Sequence, residues 1–191
     1  MPLSLLLFCG SRAGSDPAHT ETAREFGAWC ASEGIRLIYG GGGIGLMGEA
    51  ARASLSAGGE VIGVIPRFLM REEVAQTGLT EMHVVETLHA RKGLMHELCD
   101  AVVALPGSIG TLDELFEAMT WRELGLHAKP IFLVGANGYW DPFMVLLRHL
   151  DAQGFAPPDL FDLVESLPGV PDLAERLLGR ASPATARSIE T

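Results

Sequence analysis

The stretch Leu105-Pro106-Gly107-Ser108-Ile109-Gly110-Thr111-Leu112-Asp113-Glu114 concentrates residue types that hold an anion and set a carboxylate beside it. Gly107 and Gly110 can expose backbone N–H groups, and Ser108 and Thr111 add hydroxyls. A helix opening near Thr111 would add partial positive charge. A phosphate is the natural guest. Glu114 falls three residues beyond Thr111, one turn into that helix, so its carboxylate would stand next to the anion. The competing reading is a capping box in which Thr111 caps the helix and Glu114 folds back onto it. That reading leaves the preceding Pro106-Gly107-Ser108-Ile109-Gly110 unexplained.

A second glycine-rich turn, Tyr39-Gly40-Gly41-Gly42-Gly43-Ile44-Gly45-Leu46-Met47-Gly48, also joins a strand to a helix. Gly42 and Gly43 there would let the backbone approach a ligand phosphate at a helix N-terminus, although tight strand–helix packing asks for glycine equally. It is not a Walker loop, since the Gly-Lys-Ser/Thr ending is missing. A third element is Leu88-His89-Ala90-Arg91-Lys92-Gly93-Leu94-Met95. Neighbouring side chains on a helix point about 100° apart, so only one of Arg91 and Lys92 can aim squarely into a given cleft, and Arg91 is the candidate. Taken alone, the pair is more simply a solvated face or a charge partner for Glu86.

Positioning these groups calls for a fold that gathers strand ends. Short β-rich runs alternate with amphipathic segments along the chain, the pattern of βαβ units around a parallel sheet. The strands are predicted at Leu3–Cys9, Arg36–Tyr39, Glu60–Ile65, Glu81–Val85, Ala101–Leu105, Pro130–Val134 and near Leu163–Glu165. The helices are predicted at Pro17–Glu33, Gly45–Ala57, Leu88–Leu98, Thr111–Leu124, Trp140–Gln153 and Val170–Arg180. From Pro66 to Thr80 the chain reads as irregular, with at most one helical turn. The fold class is therefore α/β, a Rossmann-like doubly wound parallel sheet flanked by helices. Residues 1–180 form one domain, and 181–191 are a polar, frayed tail. Open sheets of this class bind ligands beyond the carboxyl ends of their strands, where the glycine-rich turns fall.

Composition narrows the partners. Fourteen basic residues against 24 acidic ones give a net charge of −10, which argues against nucleic acid as a partner but leaves room for one small phosphorylated ligand. No apolar run approaches the ~20 residues of a membrane span, and the opening run is too short and lacks the basic start of a secretory leader, so the expectation is a cytoplasmic protein. Cys9, Cys30 and Cys99 are odd in number and sit in apolar runs, as reduced core cysteines do. The six histidines, at 19, 83, 89, 96, 127 and 149, lack metal-ligand spacing. Phe26 and Trp29, and Leu112, Leu115, Phe116 and Met119, recur at helical spacing and read as core or subunit interface.

The loop, the Arg91-Lys92 helix and the glycine-rich turn together resemble the Lonely Guy family of cytokinin-activating phosphoribohydrolases, whose hallmarks are a PGGxGTxxE loop and an upstream RK pair. Many bacterial members carry the older label of lysine decarboxylase. The resemblance runs from about Leu5 to Pro142, through Phe8-Cys9-Gly10-Ser11, Gly63-Val64-Ile65-Pro66, Thr120-Trp121, His127-Ala128-Lys129-Pro130 and Gly138-Tyr139-Trp140-Asp141-Pro142. One departure stands out: Ser108 replaces the family's second loop glycine. If that position needs positive φ, serine is strained there; if not, its hydroxyl can add a phosphate hydrogen bond.

The resemblance implies hydrolysis of the N-glycosidic bond of AMP or a cytokinin riboside 5′-monophosphate, giving free base and ribose 5-phosphate. It implies a nucleotide pocket lined by Glu73, Arg91, Lys92, Gly107, Ser108, Ile109, Gly110, Thr111, Leu112, Asp113, Glu114 and Thr120. It also implies a homodimer with helices around the active site packed across the interface. Within the pocket Glu114 suits an oxocarbenium-like state or water activation, and Arg91 suits the departing base. That chemistry requires no metal or organic cofactor, and none is signalled. The alternative is a non-catalytic nucleotide-binding or molybdenum-cofactor carrier protein of the same superfamily, which needs the glycine loops but not the Arg91 and Glu114 pair. Pyridoxal chemistry lacks a lysine in a recognisable setting.

Overall fold

Alternation of inward side chains decides how the strands are covered. In β1 (Ser4–Phe8), Leu5 and Leu7 point to one face of the sheet while Leu6 and Phe8 point to the other. All four are buried, so both faces must carry helices. The computed structural model describes residues 2–179 and shows that sandwich. The remaining strands are β2 (Arg36–Tyr39), β3 (Val61–Pro66), β4 (Glu81–Val85), β5 (Ala101–Ala104), β6 (Ile131–Val134) and β7 (Glu165–Leu167). They form one seven-stranded sheet in the order β4-β3-β2-β1-β5-β6-β7, every neighbouring pair parallel.

The helices are α1 (Pro17–Ser32), α2 (Gly45–Ser56), a single turn α3 (Leu69–Glu72), α4 (Leu88–Leu98), α5 (Ile109–Glu123), α6 (Asp141–Ala152) and α7 (Val170–Leu178). On one face Phe26 and Cys30 of α1, Leu46 and Ala50 of α2 and Leu173 of α7 pack on Leu5, Leu37, Val103 and Phe132. On the other, Met95 of α4, Leu115 and Met119 of α5 and Leu147 of α6 pack on Leu6, Ile38, Val102 and Leu133. Trp29 packs against the first core from a partly buried position, whereas Phe116 stays exposed.

Several strand and helix ends fall one residue from the sequence reading, and three boundaries differ for a clear local reason. The helix expected to open at Thr111 opens at Ile109: Ser108 is its extended N-cap, and Leu112 N–H already donates to the Ser108 carbonyl at 3.0 Å. The last strand is Glu165–Leu167 and not Leu163–Glu165, because a 3-10 turn at Leu160–Asp162 tucks Leu163 and Val164 into the core before Glu165 comes into register with Phe132. The final helix stops at Leu178, with Gly179 as a left-handed cap. Arg180, expected as its last residue, and the tail expected at 181–191 lie outside the described residues.

This winding sets the site. From β1 the chain steps outward through β2, β3 and β4, and then α4 carries it back to β5 on the other side of β1. The carboxyl ends of β1 and β5 therefore diverge at the point where the winding reverses, which opens a crevice between the turns that follow them.

Candidate active site

Two turns form the crevice walls. After β1 come Cys9, Gly10 and Ser11; after β5 come Leu105, Pro106, Gly107 and Ser108. They are stitched together by Leu105 N–H to the Phe8 carbonyl at 2.9 Å and Gly10 N–H to the Pro106 carbonyl at 2.9 Å. Gly107 has to be glycine, because a Cβ there would strike the Thr111 side chain and the Gly10 nitrogen.

The first turn of α5 faces this crevice. N–H groups of a first helical turn have no partner within the helix, so Ile109, Gly110 and Thr111 present donors with the helix dipole behind them. Gly107, expected to contribute its N–H as well, donates it to the Tyr139 hydroxyl at 3.2 Å. Ser108 has φ −107° and ψ −155°, extended backbone open to any residue, and its hydroxyl makes no capping bond. The serine is therefore unstrained and its hydroxyl remains available to a guest. Ser108→Gly is accordingly expected to lower stability by about 0.5–1 kcal/mol, from the added freedom of the unfolded chain, and not to raise it; urea titration checks this. The capping-box reading fails because Thr111 is the third residue of the helix and not its cap.

Beneath the crevice an inner cavity of about 100 Å³ is lined by Cys9, Gly10, Ser11, Met47, Glu73, Arg91, Ser108, Gly110, Thr111 and Glu114. It opens beside a larger outer cavity of about 490 Å³ that shares Gly10, Ser11, Ser108 and Gly110 and reaches Arg12, His19, Gly107, Ile109 and Tyr139. Six residues expected from the sequence thus meet at the inner cavity: Glu73, Arg91, Ser108, Gly110, Thr111 and Glu114. Glu114 lies one turn from Gly110, on the same face of α5. Burial pushes its carboxyl up to about 7; Arg91 and Lys92 oppose the shift, while Glu73 and Asp113 add to it. Burial, with Glu114 and Glu73 nearby, also drives the Cys9 thiol far above its ordinary range, so it stays protonated and unreactive.

Arg91 is fixed from three sides. Its Nε donates to the Val64 carbonyl at 3.1 Å and one Nη to the Gly40 carbonyl at 2.9 Å, and the same nitrogen meets Glu73 Oε2 at 3.3 Å. Gly40 is required there, since a Cβ would collide with the guanidinium. Within the first glycine cluster Gly40 therefore makes room for Arg91, while Leu46 and Met47 reach the outer and inner cavities. Gly43 N–H goes to the Glu73 and Val74 carbonyls, Gly42 bridges to Ala75, and neither Gly42 nor Gly43 lines the inner or the outer cavity.

Lys92 turns the other way, as the helical angle requires, and pairs with Asp113 at 3.1 Å and Glu117 at 3.0 Å, tying α4 to α5. Leu112 packs against the core from a partly buried position, and the Thr120 hydroxyl donates to the Phe116 carbonyl at 2.8 Å on an exposed face. Lys92, Leu112, Asp113 and Thr120 are thus not brought to either cavity of this chain. The sequence reading also missed Arg12, His19, Met47 and Tyr139. Gly10-Ser11 carried a signal, being glycine at a strand end; Tyr139 falls just before the helix expected from Trp140, inside a stretch of the family resemblance, and carries no local sign of its bond to Gly107. Among the described residues no cluster of His, Cys, Asp or Glu has metal-binding geometry, and no helix is long and apolar enough to cross a membrane.

Comparison with known proteins places this architecture. Residues 47–177 match a family model described as possible lysine decarboxylase. The cytokinin riboside 5′-monophosphate phosphoribohydrolase of Rhodococcoides fascians is 46% identical over 158 residues, 82% of this chain and 80% of that one. An Arabidopsis thaliana protein of the same name is 39% identical over 173 residues, 91% of this chain and 81% of its own. The molybdenum cofactor carrier protein of Chlamydomonas reinhardtii shares the fold at 22% identity, with a TM-score of 0.70 over 94% of this chain and 97% of that structure. A molybdenum cofactor binding protein of Rippkaea orientalis gives 0.69 at 20% identity, over 94% and 97% of the two chains.

The decarboxylase description does not fit the residues present. A pyridoxal cofactor needs a lysine amine in the cavity, and the sequence has Lys92 and Lys129 alone. Lys92 is held by Asp113 and Glu117, and Lys129 by the His96 carbonyl and the Cys99 sulfur. The match over most of the chain, together with the loop, the arginine and the carboxylate in one crevice, shows that the chain belongs to the Lonely Guy family, the family described as possible lysine decarboxylase.

Proposed function

We propose that the protein hydrolyses the N-glycosidic bond of purine nucleoside 5′-monophosphates, AMP or its N6-substituted cytokinin analogues, releasing free base and ribose 5-phosphate. The observation that carries this reading is the inner cavity, where Glu114 and Arg91 flank a floor that continues into the donors of the α5 N-terminus. Supporting it are relatives named as phosphoribohydrolases at 37–46% identity.

The chemistry follows from charge. Cleavage builds positive charge on the ribose and negative charge on the departing base. The phosphoryl group takes the Ile109, Gly110 and Thr111 N–H groups and the Ser108 hydroxyl, and this remote binding orients the sugar over the inner cavity. Glu114 stabilises the oxocarbenium-like ring or takes a proton from the attacking water. Arg91, permanently charged and already fixed by Gly40, Val64 and Glu73, stabilises the leaving base by electrostatics and hydrogen bonding.

Glu114 acts as a carboxylate, so the free enzyme loses kcat/KM as pH falls through about 7, roughly tenfold per unit below that value. Stability moves with the opposite sign. A carboxyl whose folded value stands above its ordinary 4.5 binds its proton more tightly when folded, so this group favours the folded state more as pH drops from 7 toward 4.5. A pH–rate profile alongside unfolding curves at the same pH values checks both, and an acidic limb near 4.5 would be the wrong result.

A second copy of the chain is part of the same proposal. Leu88, Phe116 and Ile109 are exposed apolar residues of α4 and α5 beside the site, where burial against a partner is favourable. The cytoplasm suits three buried, unpaired cysteines. Incubating the protein with nucleoside monophosphates, the corresponding nucleosides and ribose 5-phosphate, and following free base by chromatography, tests the assignment. Base released from monophosphates and not from nucleosides is the expected result. Nucleotide bound without any base release would favour a carrier.

A further inference from the structure

Tyr139 reaches the phosphate loop from a different part of the chain, the turn between β6 and α6, 32 residues away from Gly107. Its hydroxyl accepts the Gly107 N–H at 3.2 Å and donates to the Gly107 carbonyl at 2.5 Å, so one oxygen holds both polar groups of that residue. The ring is itself wedged. It meets His19 edge-on with centroids 5.2 Å apart, and Trp140 edge-on at 5.1 Å. Trp140 is buried and donates to the Val134 carbonyl at 3.3 Å. One turn earlier, Asn137 donates to Asp16 at 2.9 Å, and the same Asp16 side chain caps α1 through Ala18 N–H. Three loops, after β1, β5 and β6, are therefore locked around Gly107.

We propose that Tyr139 is a positioning residue for phosphate recognition. By occupying the Gly107 N–H and carbonyl it fixes the peptide entering α5, and it leaves the donors of Ile109, Gly110 and Thr111 as the set aimed into the crevice. Without the hydroxyl, Gly107 N–H becomes a free competitor for the anion and the loop loses its anchor at the residue that must pack against both Gly10 and Thr111. The inference rests on the hydrolase reading for its activity measurement and is independent of it for phosphate binding.

The variant is Tyr139→Phe, which keeps the ring against His19 and Trp140 and removes the oxygen. In the full-length protein KM for AMP should rise roughly tenfold with kcat little changed, the signature of lost binding and not of lost chemistry. Protection against heat by inorganic phosphate should need roughly tenfold more phosphate in the variant. In the wild type, amide exchange at Gly107 should be slow, and a phosphate titration followed by NMR should shift the Ile109, Gly110 and Thr111 amides more than that of Gly107. This wild-type arm decides the matter even where the variant is unstable. Unchanged KM and phosphate protection in a folded variant, or a Gly107 amide that responds most strongly to phosphate in the wild type, overturns the role of Tyr139. A wild type that binds phosphate as described but releases no base from any nucleotide overturns the hydrolase reading and leaves the role of Tyr139 standing.

Discussion

Glu114→Gln should lower kcat for base release from AMP by on the order of 10³-fold or more while leaving the protein at least as stable at pH 8. The two halves of that result come from one cause. Glutamine keeps the size and shape of the side chain but supplies neither a negative charge to the ribose nor a base for water. The same charge is costly to the fold: burial holds the Glu114 carboxyl up near 7, so above that pH the ionised group is retained against a desolvation penalty that the neutral amide escapes. Loss of activity with no loss of stability separates a catalytic role from a structural one. Measured by chromatographic turnover and by urea unfolding at pH 8, a Gln variant turning over at the wild-type rate would remove Glu114 from the mechanism. A variant both inactive and much less stable would make its role structural.

How much of this was legible beforehand depended on whether the cause was local. The doubly wound sheet could be read because strand periodicity and helix periodicity alternate along the chain and need no knowledge of distant contacts. Leu5 and Leu7 against Leu6 and Phe8 already demand two helical layers. The Ser108-to-Glu114 loop could be read for the same reason, being one contiguous strand–turn–helix. So could the opposed directions of Arg91 and Lys92, which follow from 100° per residue.

What could not be read was set by tertiary contact. Nothing near Gly42 and Gly43 announces that segment 73–76 uses the Gly43 N–H and bridges Gly42, or that Gly40 is bare because a guanidinium from α4 lies on it. Nothing near Gly107 announces Tyr139. The helix start moved from Thr111 to Ile109 because Ser108 lies in extended backbone and caps through its carbonyl, a role that side-chain type does not encode. Resemblance alone put Glu73, Lys92 and Thr120 in the pocket; Glu73 does reach the inner cavity, while Lys92 and Thr120, with Asp113, lie on α4 and α5 faces away from the crevice. In a single chain they satisfy one another or their own helix.

Arg91→Ala is expected to be as inactive as the Glu114 variant and, unlike it, to be destabilised by about 2–4 kcal/mol. Arg91 is buried, at 6% of its surface, and its removal orphans the Gly40 and Val64 carbonyls and leaves Glu73 beside Glu114 without the intervening positive charge. Two carboxyls at one cavity cannot both ionise cheaply, so the acidic limb of any residual activity should also move above its wild-type position near 7. Arg91→Lys sharpens the argument. It keeps the charge, which should restore most of the lost stability and return the limb toward 7. A single ammonium, however, cannot bond Val64, Gly40 and Glu73 and still present a donor to the leaving base, so turnover should stay at least about tenfold low. Unfolding curves, a pH–rate profile and base release on the two variants measure the three effects separately. A lysine variant with full activity would show that the charge alone suffices, and an alanine variant of wild-type stability would contradict the buried network that fixes the guanidinium.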